Sequence, residues 1–117
     1  LAVADGGTGA STAPAARVNL RNPSLTPTAN DIDWSLSDNF YVVLGASVTI
    51  TFSNAQDGQS LMFAVSTPGS YAVTWPAAVE WPNSVTPTAS GTGFTDLYAF
   101  TRINGVVYGN VVKSYTI

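Results

Sequence analysis

Histidine and cysteine are absent from the chain, and its ionisable side chains are seven acids and four bases, Arg17, Arg21, Arg102 and Lys113 among them. Zinc, haem, and Ser-His or Cys-His chemistry therefore lose their usual ligands and bases. Paired carboxylates are the remaining route to catalysis. Asp31 and Asp33, two apart in Asp-Ile-Asp, can share one face of a strand. Glycoside hydrolysis, however, needs two carboxyls about 5 to 9.5 Å apart that flank a bond in a cleft, and a same-strand pair sits side by side. Together with Asp38 these acids also offer hard oxygen ligands, but without the Asp-x-Asp-x-Asp-Gly spacing of a calcium loop. They read as strand-end caps and turn formers. We expect no enzyme activity, no catalytic residue, no metal and no cofactor.

Recognition chemistry is better represented. Trp75-Pro76 and Trp81-Pro82 share one loop, and exposed indoles stack on the flat, partly apolar faces of sugars. Trp75 ends the alternating face Tyr71, Val73, Trp75 and reads as core, whereas Trp81 stands open between an interface residue and a sugar platform. Polar loop tips are the other candidates: Asp38, Asn39, Asn54, Gln56, Asp57 and Asn104. If each connection reverses direction and the strand from Ile32 runs away from the N-terminal segment, these tips share the distal end. Gly45 and Pro68 then fall at the opposite end.

The elements that must position these residues are strands. Val48, Ile50 and Phe52 alternate with Ser47, Thr49, Thr51 and Ser53, and Leu61, Phe63 and Val65 keep the same period of two. Stretches 40–44 and 97–100 are apolar on both faces, so each is either central in a sandwich or covered on its second face by another subunit. Turn chemistry links the strands as antiparallel neighbours: Gly45-Ala46 fits a II′ hairpin, Asn104-Gly105 a I′ hairpin, Pro68-Gly69 a type II turn, and Asn54 to Gly58 a longer loop. The expected fold is mainly β, an antiparallel sandwich of six to eight strands over residues 31–117. Residues 1–30 form a separate segment: a glycine-rich turn, a short helix with Ala13, Ala16 and Leu20 on one face, and an extended linker after Asn22-Pro23. Two helical turns cannot stand alone, and a small Ala-Leu stripe suits close packing against symmetry copies around an axis. Ser24-Leu25-Thr26-Pro27-Thr28-Ala29 is echoed by Ser84-Val85-Thr86-Pro87-Thr88-Ala89, and both read as strand-entry loops.

Composition narrows the partners. Charged residues make up 9% of 117, against about 25% in an ordinary soluble domain, so Ser, Thr and Asn must keep the surface wetted. That style suits a long-lived extracellular β protein better than a cytosolic enzyme. Four cations and a net charge of -3 cannot supply a phosphate-binding stripe, which argues against nucleic acid and anionic membranes. No apolar run approaches the roughly 18 residues that span a bilayer, so no membrane insertion is expected. The start at Leu1 reads as a cut from a longer chain.

The opening Leu1-Ala2-Val3-Ala4-Asp5-Gly6-Gly7-Thr8-Gly9-Ala10-Ser11-Thr12-Ala13, followed by Ala16-Arg17-Val18-Asn19-Leu20, resembles the neck segment of tailed-phage tail fibres and tailspikes. The body resembles their C-terminal domain through Asp57-Gly58-Gln59-Ser60-Leu61, Val73-Thr74-Trp75-Pro76, Trp81-Pro82, Pro87-Thr88 and 96–102. The resemblance implies a homotrimer at the distal tip of a fibre. It would be carried on the virion, extracellular on release, and would contact a capsule or lipopolysaccharide glycan or an outer-membrane protein of a bacterial host. A structural cap that trimerises the fibre without touching the host is the alternative.

Overall fold

A computed structural model describes residues 11–14 and 24–117. Nine strands follow in order: β1 Ser24–Leu25, β2 Asp31–Asp33, β3 Asn39–Val43, β4 Val48–Thr49, β5 Thr51–Ser53, β6 Ser60–Thr67, β7 Val73–Thr74, β8 Phe94–Ile103 and β9 Val106–Thr116. The described chain is mainly β, as its alternation predicts. The expected neck helix lies largely outside the described residues: Ala16 and Leu20 fall there, and Ala13 is exposed.

The pairing is not that of consecutive antiparallel hairpins. A five-stranded mixed sheet runs β1-β3-β6-β8-β9, flanked by two parallel ladders, β2-β5 and β4-β7. Asp31 pairs with Thr51, Phe40 with Phe63 and Val48 with Val73, all parallel. Each of β2, β3 and β4 thus finds its partner three strands later, the connectivity of two stacked rungs of a β-solenoid. Gly45-Ala46 and Pro68-Gly69 are consequently corners between faces of a rung. Neither Gly45 nor Gly69 has the positive φ that a II′ or type II turn requires, whereas Asn104 (φ 49°) and Gly105 (φ 79°) close the expected I′ hairpin between β8 and β9. The two Thr-Pro-Thr-Ala segments also differ. The first leads from β1, and the second follows a 3-10 turn at Pro82–Ser84 and enters no strand.

The core lies between the sheet and the two ladders. Alternation along β6 turns Leu61, Phe63 and Val65 inward, and β8 adds Tyr98 and Phe100. Ile32, Trp34, Phe40 and Leu44 come from the first rung, and Ile50, Trp75, Val79 and Trp81 complete the cluster. Burial of each such side chain stabilises by about 1.5–3 kcal/mol relative to exposure. Among the described residues Asp96 is the one buried charged side chain, with a relative exposure of 1%. Its carboxylate accepts from Ser90 N at 2.8 Å, Ser114 N at 3.0 Å and the Ser90 hydroxyl, which ties 90–96 to the bulge where β9 slips against Thr95 and Leu97. Burial, reinforced by the Asp96 charge, pushes the Tyr98 phenol well above its ordinary range, so it stays protonated.

Candidate functional site

Because β3 and β6 are parallel and β8 is antiparallel to β6, the loops before β3, before β6 and after β8 meet at one end of the sheet. Asp38, Asn39, Asn54, Gln56, Asp57 and Asn104 therefore gather there, although the expected pairing is replaced. Gly45 and Pro68 follow β3 and β6 at the opposite end.

Their polar groups hold one another in place. Gln59 Nε2 donates to Asp38 Oδ1 and to the Trp34 carbonyl, both at 2.7 Å. Asp57 Oδ1 accepts from Gly105 N at 2.9 Å and lies 3.4 Å from Arg102 Nε, and the Arg102 guanidinium also donates to the Ala55 carbonyl. Gly58 N donates to the Arg102 carbonyl at 2.7 Å. The hairpin tip and the loop before β6 are thereby locked together, with Gln56 and Asn104 exposed on the surface they make. A partner meeting this surface would order little that is not already ordered, which saves binding free energy.

Asp31 and Asp33 share the outward side of β2 around the fully buried Ile32, and they are engaged locally. Asp31 accepts from Thr51 Oγ1 at 2.7 Å and Ser53 Oγ at 2.6 Å, stitching β2 to β5. Asp33 accepts from Ser35 Oγ at 2.6 Å, Asn54 Nδ2 at 2.9 Å and Ser35 N at 3.0 Å. The Ser35 hydroxyl, then Asn54, then the Ser35 amide hold the Asp33 carboxyl below its ordinary value of 3.8. Asp33 is therefore held as a carboxylate, unsuited to donating a proton near neutrality. A lowered folded pKa contributes stability present above the ordinary carboxylate range and lost as pH falls through the lowered value. Melting temperatures measured from about pH 5 down to about pH 2 should fall less steeply for Asp33→Asn than for the parent chain. Equal slopes would show that the carboxylate is not preferentially stabilised.

Trp81 does not offer a free ring. It is 8% exposed, its centroid is 5.9 Å from that of Trp75 and 5.7 Å from that of Phe100, and Gly109 lies against it. Glu80 draws the Trp-Pro loop onto β9: its N–H donates to the Val107 carbonyl and its carbonyl accepts from Gly109 N, each at 2.9 Å. Trp81 borders a cleft of about 540 Å³ with Glu80, Pro82, Val106, Tyr108 and Gly109. The exposed ring there is Tyr108, at 51%. No family model, curated protein or solved structure matches the chain. Its surface has to be read from its own geometry, and that geometry adds two residues to the candidate set. Arg102 braces the loop end, and Tyr108 supplies the accessible aromatic face beside it. The sequence signal for both was their position flanking Asn104-Gly105, where the end of one strand and the start of the next share a turn.

Proposed function

We propose that this chain is the distal tip of a tailed-phage tail fibre, a non-enzymatic module that attaches the virion to a surface glycan or outer-membrane protein of a bacterial host. The observation that carries the reading is the loop end: three sequence-distant polar loops converge, two braced by Arg102 and Asp57 and the third tied in through Gln59 and Asp38. The likeness of the 57–61 and 96–102 stretches to fibre tips adds the biological setting. Gln56→Ala combined with Asn104→Asp tests it. Asp keeps the I′ turn, and exposed turn positions should leave stability within about 0.5 kcal/mol. Binding of the labelled fragment to host cells should fall by about tenfold or more, because each lost contact recurs in every subunit and is multiplied by avidity. Undiminished cell binding would overturn the loop assignment.

A second reading, a trimerising cap without host contact, draws on the outer face of the large sheet. Register carries Tyr41, Leu97 and Val112 into one outward row, Met62 into a second, and Val43 and Tyr115 into a third, with no charged residue in these rows. Tyr41 is 46% exposed and Val43 64%. Four strands about 4.8 Å apart give this uncharged face roughly 400 Å², with Asn39, Asn110, Ser66 and Thr95 among its apolar side chains, and the largest surface patch, usually about 300–600 Å², is often functional. Both readings place symmetry copies over it, completing a sandwich between subunits. Light scattering should return about three times the 12.2 kDa chain mass, and Leu97→Asp should reduce it to one. A parent chain that stays monomeric at micromolar concentration would remove the assembly from both readings.

A further inference from the structure

Away from the loop end, β7 pairs with β4 along one edge only: Val48 N donates to the Ala72 carbonyl at 3.0 Å and Ile50 N to the Thr74 carbonyl at 2.8 Å. Among the described residues its other edge has no partner strand and faces the extended segment 86–89 across a cleft of about 520 Å³. Among the described residues the hydroxyls of Tyr71, Thr74, Thr86 and Thr88, all lining this cleft, make no intramolecular hydrogen bond. Trp75, which forms part of the same wall, buries an indole N–H with no acceptor. The Tyr71 ring rests on Gly69, where a Cβ would come 2.7 Å from Cε2, so the ring is held against the backbone at the mouth of the cleft.

We propose that this cleft is a binding site for a short neutral saccharide. Four uncommitted hydroxyls, each able both to donate and to accept, match the alternating donors and acceptors of a sugar edge, and Tyr71 and Pro87 provide apolar walls for a pyranose face. Among the described residues no charged side chain lines the cleft, which leaves an acidic sugar or a phosphate without a counter-charge from them. The volume lies within the range of about 300–1,000 Å³ usual for small-ligand sites. An extended peptide fits less well: strand addition draws its affinity from a run of backbone bonds, and β7 is two residues long. The inference rests on the fibre-tip reading only for the origin of the sugar, and it adds a lateral site to the loop end.

The test titrates the full chain, ¹⁵N-labelled, with a panel of neutral di- to tetrasaccharides of hexoses while amide and indole signals are followed. At least one member should shift the signals of 71–75 and 86–89 together with the Trp75 indole N–H. Thr86→Val with Thr88→Val keeps the shape of two exposed side chains and removes their hydroxyls, and it should weaken that binding about tenfold at unchanged melting temperature. Shifts confined to the loop end, no shift with any member, or equal affinity in the valine variant would overturn the proposal. So would an uncharged extended hexapeptide that moves these signals when no saccharide does. Failure of the two readings is separable. Saccharide binding in the cleft by a fragment that ignores host cells removes the fibre tip and keeps the site. Cell binding lost only with Gln56 and Asn104, the cleft silent throughout, removes the site and keeps the tip.

Discussion

Trp75→Ala should unfold the chain at markedly lower denaturant, with a loss of about 3–5 kcal/mol. The indole is 6% exposed and stands at the centre of the aromatic cluster, 4.4 Å from the Tyr98 ring centroid, 5.3 Å from Phe100 and 5.9 Å from both Phe63 and Trp81. Each ring pair adds about 0.5–1.5 kcal/mol beyond area burial, and the cavity left by truncation opens toward the sheet, where β6 and β8 cannot collapse without breaking register. One term opposes this. The buried indole N–H lacks an acceptor, so its removal recovers part of an unsatisfied donor's cost of about 1–3 kcal/mol. Trp75→Phe separates the two contributions, since it keeps a ring and discards the donor, and it should cost less than half as much as alanine. Equilibrium urea unfolding, with the midpoint moving at constant slope, is the measurement. A loss under about 1 kcal/mol for alanine would mean that the cluster is not the principal core.

Gly109→Ala should also destabilise, against the usual trend. Replacing glycine by alanine in a strand ordinarily gains about 0.4–1 kcal/mol by restricting the unfolded chain. Here a Cβ would come 2.7 Å from Cζ3 of Trp81 and 2.9 Å from its Cε3 and Cη2. The Trp81 ring cannot swing aside, because Trp75, Tyr98 and Phe100 pack against it and Glu80 fixes its backbone to β9 through two hydrogen bonds. Overpacking of this kind costs about 1–3 kcal/mol, enough to reverse the sign. The double variant Gly109→Ala with Trp81→Phe should recover part of the loss, as the smaller ring withdraws from the new methyl. If Gly109→Ala alone raises the melting temperature, the Trp-Pro loop is not seated on β9 as described.

Face assignment was legible in the sequence and neighbour assignment was not. Alternation in 60–67 and 94–103 tells which side chains turn inward, and Phe63, Val65, Tyr98 and Phe100 follow it. Alternation carries no information about which strand lies alongside, so composition alone makes Gly45-Ala46 and Pro68-Gly69 read as turns between antiparallel neighbours. Their glycines lack positive φ because the chain turns onto another face there, and only Asn104-Gly105, where both residues must be left-handed, specified its turn uniquely. The loop end was legible because both connectivities leave 39–43 and 60–67 running the same way and 94–103 running against them. The sequence leaves Trp81 open because exposure depends on what lies above a ring. Gly109, almost thirty residues later, is what allows it to bury.

The partnering of β2, β3 and β4 with β5, β6 and β7 also fixes the order in which order can appear. During synthesis the first rung leaves the ribosome with no strand to bond to, since every ladder it joins is completed by residues from 51 onward or, for β1, by β3 alone. Parallel pairs between distant segments must close large loops before any contact rewards them, which makes them late and slow. The β8–β9 hairpin has the opposite character: a two-residue turn, paired from Ile103 and Val106 outward. Loop-closure entropy therefore favours an order in which this hairpin forms early and β6, then the first rung, add to it. A nascent or truncated chain that lacks β5 to β7 holds β2, β3 and β4 as unpaired edges, and one that lacks β8 and β9 leaves β6 without its antiparallel neighbour.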